Sequence, residues 1–205
     1  MTPSDDRNDG IALLSATYAP FIPPAAAAVE LDLGCGTGYF AVELAKRHPD
    51  RTILAADVML GRLRKTVARL RRAGTANVIP LRVEARMLVG KMLPDNSLDR
   101  IHLLCPDPWP KGRHRGHRLL ASDFTARLHR VLKENGLFHF SSDDDNYCRA
   151  VEAVIASSEL FAPAPAPADL EGITSSFERR WLEAGRSVRH LFWRRLPLPP
   201  WKGGH

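Results

Sequence analysis

Four carboxylates stand where short apolar runs end. Asp32 lies in Val29-Glu30-Leu31-Asp32-Leu33, Asp57 closes residues 52–57, Glu84 follows residues 77–83, and Asp107 follows residues 98–105. Between the first two lies a glycine turn, Gly34-Cys35-Gly36-Thr37-Gly38. A dinucleotide fingerprint spaces its glycines G-x-G-x-x-G and brings a pyrophosphate to a helix N-terminus. Here the spacing is G-x-G-x-G, with an acid two residues before the first glycine. A carboxylate so near the turn suits a cationic amino-acid group better than a phosphate. Asp57 is placed to accept hydrogen bonds from ribose hydroxyls, and Glu84 to accept from an adenine amino group. An amino acid, a ribose and an adenine without phosphate describe S-adenosylmethionine. The chain has no G-x-x-x-x-G-K-[ST] segment, so a P-loop is excluded.

The fourth acid sits in a second chemical stretch, Cys105-Pro106-Asp107-Pro108-Trp109-Pro110-Lys111-Gly112-Arg113-His114-Arg115-Gly116-His117-Arg118. Three prolines forbid helix and central strand and hold Asp107 and Trp109 on a stiff turn. Lys111, Arg113, Arg115 and Arg118 follow directly, with His114 and His117 among them. A carboxylate, an indole and a cationic run at the end of a strand suit a site for an anionic partner. Trp109 has two readings, a ring that stacks on a base and a lid packed on the core.

The elements that must carry these residues alternate in type. The turn 34–38 leads to a helix over 39–47, with Phe40 and Leu44 inward, and a strand over 52–57. A helix over 60–73 follows, with Leu63, Val67 and Leu70 on one face and Arg62, Arg64, Lys65, Arg69, Arg71 and Arg72 on the others. Gly74 stands where a helix C-cap glycine would. Strands are expected over 77–83 and 98–105, with a short helix over 85–92 between them. A helix over 119–133, a turn at Asn135-Gly136 and a strand over 137–141 come next. Asp143, Asp144 and Asp145 can cap a helix over 146–157. Residues 162–168 alternate Pro and Ala, an extended connector. Residues 175–181 and 188–195 read as a closing antiparallel pair.

Strands alternating with helices predict an α/β, Rossmann-like fold: a mostly parallel, doubly wound sheet with a C-terminal antiparallel hairpin. The expected organisation is an N-terminal extension (1–27), one domain (28–195) and a Pro-rich tail (196–205). In such a sheet, ligands bind beyond the C-terminal strand ends, where the four acids fall.

Composition sharpens the class of partner. The chain of 205 residues has a net charge of +6. Residues 61–130 hold sixteen Lys and Arg against five Asp and Glu, whereas the flanking thirds are net acidic. Segregated positive charge is an electrostatic footprint for nucleic acid, though solvated helix faces give the same count, and the 62–72 helix admits both readings. No uncharged apolar run is long enough to span a bilayer. Three separated cysteines, Cys35, Cys105 and Cys148, without a CxxC pair, predict a reduced cytoplasmic protein with neither disulfide frame nor metal site.

Two of these segments carry a family resemblance. Leu31-Asp-Leu-Gly-Cys-Gly-Thr-Gly-Tyr-Phe40 resembles motif I of class I S-adenosylmethionine-dependent methyltransferases. Pro106-Asp-Pro-Trp-Pro-Lys-Gly-Arg-His-Arg115 resembles the signature of bacterial-type tRNA (guanine-N7)-methyltransferases. Ser142-Asp143 with Tyr147, and Ser175-Ser-Phe-Glu-Arg-Arg180, resemble later motifs of the same family. The resemblance implies methyl transfer from S-adenosylmethionine to guanine N7 in tRNA, at guanosine 46 of the variable loop, by a monomer or homodimer. It places cofactor contacts on Asp32, Asp57, Glu84 and Asp107, with Gly34, Gly36 and Gly38 in the turn, and the catalytic role on Asp107. It places substrate contacts on Lys111, Arg113, Asp143, Ser175, Ser176, Phe177 and Glu178. Compared with the family, Ser175-Ser176 replaces Thr-Lys, Ser142 replaces Thr, and residues 1–10 are acidic rather than basic. A small-molecule or other-RNA methyltransferase, and a non-catalytic RNA-binding relative, are the alternative readings.

Overall fold

The computed structural model describes residues 10–14, 19–106 and 122–198. Its centre is an eight-stranded sheet in the order β1-β4-β3-β2-β5-β6-β8-β7. The strands are β1 (Ala12–Leu13), β2 (Ala28–Leu33), β3 (Arg51–Asp57), β4 (Val78–Arg82), β5 (Leu98–Leu104), β6 (Leu132–Ser142), β7 (Phe161–Pro163) and β8 (Arg189–Arg195). The pairings from β1 through β6 are parallel, and β8 pairs antiparallel with both β6 and β7. The chain runs outward from β2 to β4, then crosses back to β5 beside β2. The neighbouring ends of β2 and β5 therefore form the switch point, where ligands of open α/β sheets bind.

Helices cover both faces: α1 (Tyr39–Arg47), α2 (Leu60–Ala73), α3 (Ala85–Met87), α4 (Ser122–Val131), α5 (Asp145–Ser158) and α6 (Ser176–Glu183). The apolar stripe of α2 buries Leu63, Val67 and Leu70 with Phe40, Leu44 and Ile53 on one side of the sheet. On the other side Phe124, Leu128 and Val151 of α4 and α5 pack with Leu31, Leu33, Phe138 and Phe140. Gly74 ends α2 in the left-handed conformation at φ 66°, as its position suggests.

Five segments differ from the expectation. Residues 175–181 are not a strand. Ser175 caps α6 in a reciprocal box: its hydroxyl accepts from the Glu178 N–H at 3.1 Å, and the Glu178 carboxylate accepts from the Ser175 N–H at 3.2 Å. Local capping makes the segment helical, and the outer antiparallel partner of β8, opposite β6, is β7. Ala162 and Pro163, read as connector, belong to that edge strand, where a proline is tolerated. Asn135, at φ 60°, and Gly136 lie inside β6. They form an excursion between Leu132, paired with Leu98, and Leu137, paired with Arg100. Only the first turn of 85–92 is α-helical; Leu88–Met92 is a π-turn. In the segment expected to be an extension, Ala12–Leu13 adds a short parallel strand beside β4.

Candidate active site

A cavity of about 620 Å³ opens at the C-terminal ends of β2 to β5. Its floor comes from strand ends: Leu33 and Gly34, Ala56 and Asp57, Val83 and Glu84, Leu104 and Cys105. Arg62 of α2, Tyr147 of α5 and Phe177 of α6 wall it, and Pro106 stands at its rim. The volume falls within the roughly 300–1,000 Å³ typical of small-ligand sites.

The glycine turn is built against β3. The Gly34 and Cys35 N–H groups donate to the Ala56 carbonyl at 2.8 and 2.9 Å, and the Gly36 N–H donates to Asp57 Oδ2 at 3.0 Å. Asp57 Oδ1 accepts from the Met59 N–H at 2.8 Å, and Arg62 Nη1 lies 3.7 Å from Oδ2. One carboxylate thus fastens the turn, the start of α2 and a guanidinium. Gly38 is required by contact as well as by its φ of 72°: a Cβ there would stand 2.3 Å from Thr66 Cγ2 and 2.7 Å from its Oγ1. This close approach seats α1 on α2.

Asp32 lies beneath the turn rather than on the cavity wall and is 2% exposed. Burial, and then the nearby charge of Asp57, push its carboxyl up to about 7, against one favourable bond from the Ala41 N–H in the first turn of α1. Among the described residues its buried Oδ2 has no hydrogen-bond partner. A buried carboxylate with a free oxygen and a raised pKa is a receptor for a cation. Glu84, at the cavity edge, caps α3 by accepting from the N–H groups of Arg86 and Met87 at 3.0 and 2.9 Å. The Cys35 and Cys105 thiols are buried, and burial pushes both above the ordinary thiol range, so neither is an activated nucleophile.

The substrate candidates divide by position. Asp107, Trp109, Lys111, Arg113, His114, Arg115, His117 and Arg118 lie outside the described residues, beyond Pro106. Phe177 lines the cavity and sits 3.9 Å from where a Cβ on Gly36 would be. Ser175 and Glu178 are buried at the start of α6, and Ser176 is half-buried. Asp143, at the end of β6, is ion-paired with Arg186. The helix expected after it is capped by Asp144, whose carboxylate accepts from the N–H groups of Asn146 and Tyr147.

Residues 26–191 match the model of a family described as putative methyltransferase. A tRNA (guanine-N(7)-)-methyltransferase of Syntrophotalea carbinolica is 39% identical over 171 residues, covering 82% of this chain and 74% of its own length. The chain belongs to the tRNA (guanine-N7)-methyltransferase family. The fold is also that of a 16S rRNA methyltransferase, KamB, at a TM-score of 0.61 and 18% identity, covering 84% of this chain and 89% of that one. A 16S rRNA (adenine(1408)-N(1))-methyltransferase of Catenulisporales acidiphilia, solved with its cosubstrate SAM, superposes at a TM-score of 0.58 with 20% identity, covering 87% and 89%. The Rossmann-like α/β fold expected from the strand pattern is therefore present, and it is the fold of methyltransferases, the second of which was solved with S-adenosylmethionine.

The residues present fit such a cofactor: Asp57 and Glu84 bring carboxylates to the cavity wall, and Asp32 stands beneath the glycine turn with an oxygen unpartnered among the described residues, an acidic set suited to hydroxyls and an ammonium. Among the described residues no group of three or more His, Cys, Asp or Glu could hold a metal ion, and no helix is long and apolar enough to cross a membrane.

Arg62 and Cys105 escaped sequence reasoning as cavity residues. Arg62 was legible only as one cation of a basic helix. The capping box at Ser175 was written in the sequence as S-x-x-E, a helix-start signal.

Proposed function

We propose that the chain transfers a methyl group from S-adenosylmethionine to N7 of guanine in tRNA, at guanosine 46 of the variable loop. The observation that carries this reading is the switch-point cavity, with the glycine turn, Asp57 and Glu84 on one side and the Pro106 rim of the PDPWPK segment on the other. The bound cofactor supplies a methyl group activated on a sulfonium. Guanine N7 is an unprotonated acceptor, so its lone pair attacks directly and the protein needs no general base for that step. The work of the chain is then alignment and charge placement.

Asp32, beneath the glycine turn, supplies the negative charge for the amino-acid end. Asp57 and Glu84 face the ribose and adenine. Gly34, Gly36 and Gly38 keep the turn low enough for close approach. Asp107 joins the cofactor side to the base and is the residue assigned to catalysis. Asp143 and Glu178 accept from the guanine N1–H and N2–H₂ donors, each carboxylate oxygen keeping a second lone pair beyond its internal bond. Ser175, Ser176 and Phe177 bring α6 against the base. Lys111 and Arg113 bind phosphate, which makes affinity salt-dependent. Residues 28–195 form the methyltransferase domain, which acts in the cytoplasm as a monomer or homodimer.

The test is mass spectrometry of nucleosides from tRNA incubated with the protein and S-adenosylmethionine, with the modified position mapped by chain cleavage. N7-methylguanosine at position 46 is expected. Methyl on another atom, on another nucleotide only, or on nuclease-digested fragments as readily as on intact tRNA, overturns the reading.

A further inference from the structure

Three strands each place a histidine on the face of the sheet that packs against α1: His102 and His139 are opposite in register, and His190, opposite Ser141, stands two residues further along. His102 of β5, His139 of β6 and His190 of β8 follow Glu30 of β2 in a continuous line. Glu30 Oε2 lies 2.9 Å from His102 Nε2, His102 Nδ1 lies 3.0 Å from His139 Nδ1, and His139 Nε2 lies 2.9 Å from His190 Nδ1. His190 Nε2 then lies 2.8 Å from Glu178 Oε1. The line crosses three inter-strand spacings, about 14 Å, and ends at the cap of α6. Glu30 and His102 are fully buried, and His139 is 2% exposed. Phe192 stacks on His139 at 4.2 Å between ring centroids, and Phe40 covers His102 at 4.8 Å. Little room remains for water to serve these nitrogens.

Proton counting constrains such a line. Four hydrogen bonds need four protons. Three neutral imidazoles supply three, and two ionised carboxylates supply none. A fully bonded line therefore carries one extra proton. The surrounding charges say where it sits. At the Glu30 end, Glu30 and Asp169 already face two guanidiniums: Arg51 bridges both carboxylates at 2.6 and 2.8 Å, and Arg100 bonds Asp169 at 2.8 Å. His48 Nε2 stands a further 3.6 Å from Asp169. Burial works to raise Glu30, but His102, Arg100 and Arg51 outweigh it and hold it below the ordinary carboxylate range. At the centre, burial and the flanking His102 and His190 keep His139 neutral. At the far end, Glu178 faces His190 from α6, the neutral Cys105 thiol beyond β5, and Asp143 from β6, whose charge Arg186 already meets. On α5, Glu152 is paired with Arg189. Among the described residues His190 is thus the cation that Glu178 lacks.

We propose that Glu30, His102, His139, His190 and Glu178 form one proton-counted line whose extra proton resides on His190, making His190 a positioning residue that holds Glu178 as the cap of α6 beside the cavity. The hydrogen positions then follow without choice. His190 is an imidazolium, donating from Nε2 to Glu178 and from Nδ1 to His139 Nε2. His139 is the Nδ1–H tautomer and donates to His102 Nδ1. His102 is the Nε2–H tautomer and donates to Glu30. Removing the proton leaves one of four bonds without a donor, and the exposed end is where it leaves. The Glu178 carboxylate then loosens its hold on the Ser175 N–H, and Phe177, two residues on, loses its fixed place against the glycine turn. This consequence for guanine binding rests on the proposed function; the proton count does not.

Nitrogen-15 NMR of the histidine side chains in the full-length protein tests the count directly. At neutral pH, His190 should show two protonated ring nitrogens, His139 only Nδ1–H and His102 only Nε2–H. Three neutral rings, or an imidazolium at His102, overturn the proposal. The positioning role is read from the pH profile of tRNA affinity. In the wild type affinity should fall roughly tenfold as His190 loses its proton, the worth of one charge-assisted bond, with kcat changing little. His190→Gln, which still offers an N–H to Glu178 but does not titrate, should bind tRNA with no such limb, and His190→Leu should bind weakly at every pH. An unchanged limb in His190→Gln overturns the positioning role. A wild-type protein that methylates no tRNA defeats the proposed function and leaves the NMR result to decide the proton count.

Discussion

Replacing Asp32 by asparagine should make the ligand-free protein more stable at high pH while disabling it. Folding raises the Asp32 carboxyl from 3.8 to about 7. The folded state therefore holds its proton more tightly than the unfolded state, and stability falls as pH rises from about 4 to about 7. At about 1.36 kcal/mol per pH unit, the full penalty is ~4 kcal/mol. Between pH 5 and pH 8 the part that changes is about 2.5 kcal/mol, because the native carboxyl finishes ionising near 7. Asp32→Asn has no proton to lose, so its stability should lack this slope. The amide leaves a buried group unsatisfied, at a cost of about 1–3 kcal/mol, but that cost is the same at both pH values and cancels. For a chain of this length, about 2–4 °C of Tm follow each kcal/mol. The gap in Tm between variant and wild type should therefore grow by about 5–10 °C from pH 5 to pH 8, read by thermal denaturation without ligand. Parallel curves would refute the argument that Asp32 is a strained anion. Cofactor should reverse the ranking: an ammonium beside Oδ2 relieves the wild type, so S-adenosylmethionine should raise its Tm at pH 8 far more than that of Asp32→Asn.

Gly38→Ala should destabilise the fold by about 2–4 kcal/mol through left-handed strain and overpacking on Thr66, and adding Thr66→Ser, which removes the atom at 2.3 Å, should restore part of the loss in denaturant titrations. Asp107→Ala should abolish methyl transfer while leaving circular dichroism and Tm unchanged; wild-type turnover by that variant removes Asp107 from the mechanism. Reversing Lys111 and Arg113 together to Glu should weaken tRNA binding and flatten the dependence of log Kd on log salt by about two or more ion equivalents. An unchanged slope means that this loop does not touch phosphate.

The parts of the fold that were legible are those whose signal lies within one element. The stripe of Leu63, Val67 and Leu70 gave α2 its bounds, Gly74 gave its end, and Asp57 and Glu84 announced themselves by following apolar runs. The illegible parts depend on partners far along the chain. Glu30, His102, His139 and His190 each look like a polar residue intruding on an apolar strand, and singly each is unexplained. Their meaning comes from the crossovers that bring β2, β5, β6 and β8 side by side, with His102 opposite His139 in register. Residues 175–181 failed for a related reason. A segment expected to close a hairpin becomes a strand only if a sheet edge is free to take it, and the edge of β8 is already occupied by β7. With no edge to join, the segment falls to its local preference, and the Ser175 and Glu178 box makes that preference helical. The same box then presents Glu178 to His190. One local signal thus decides both helix α6 and the end of the buried line that reaches the site.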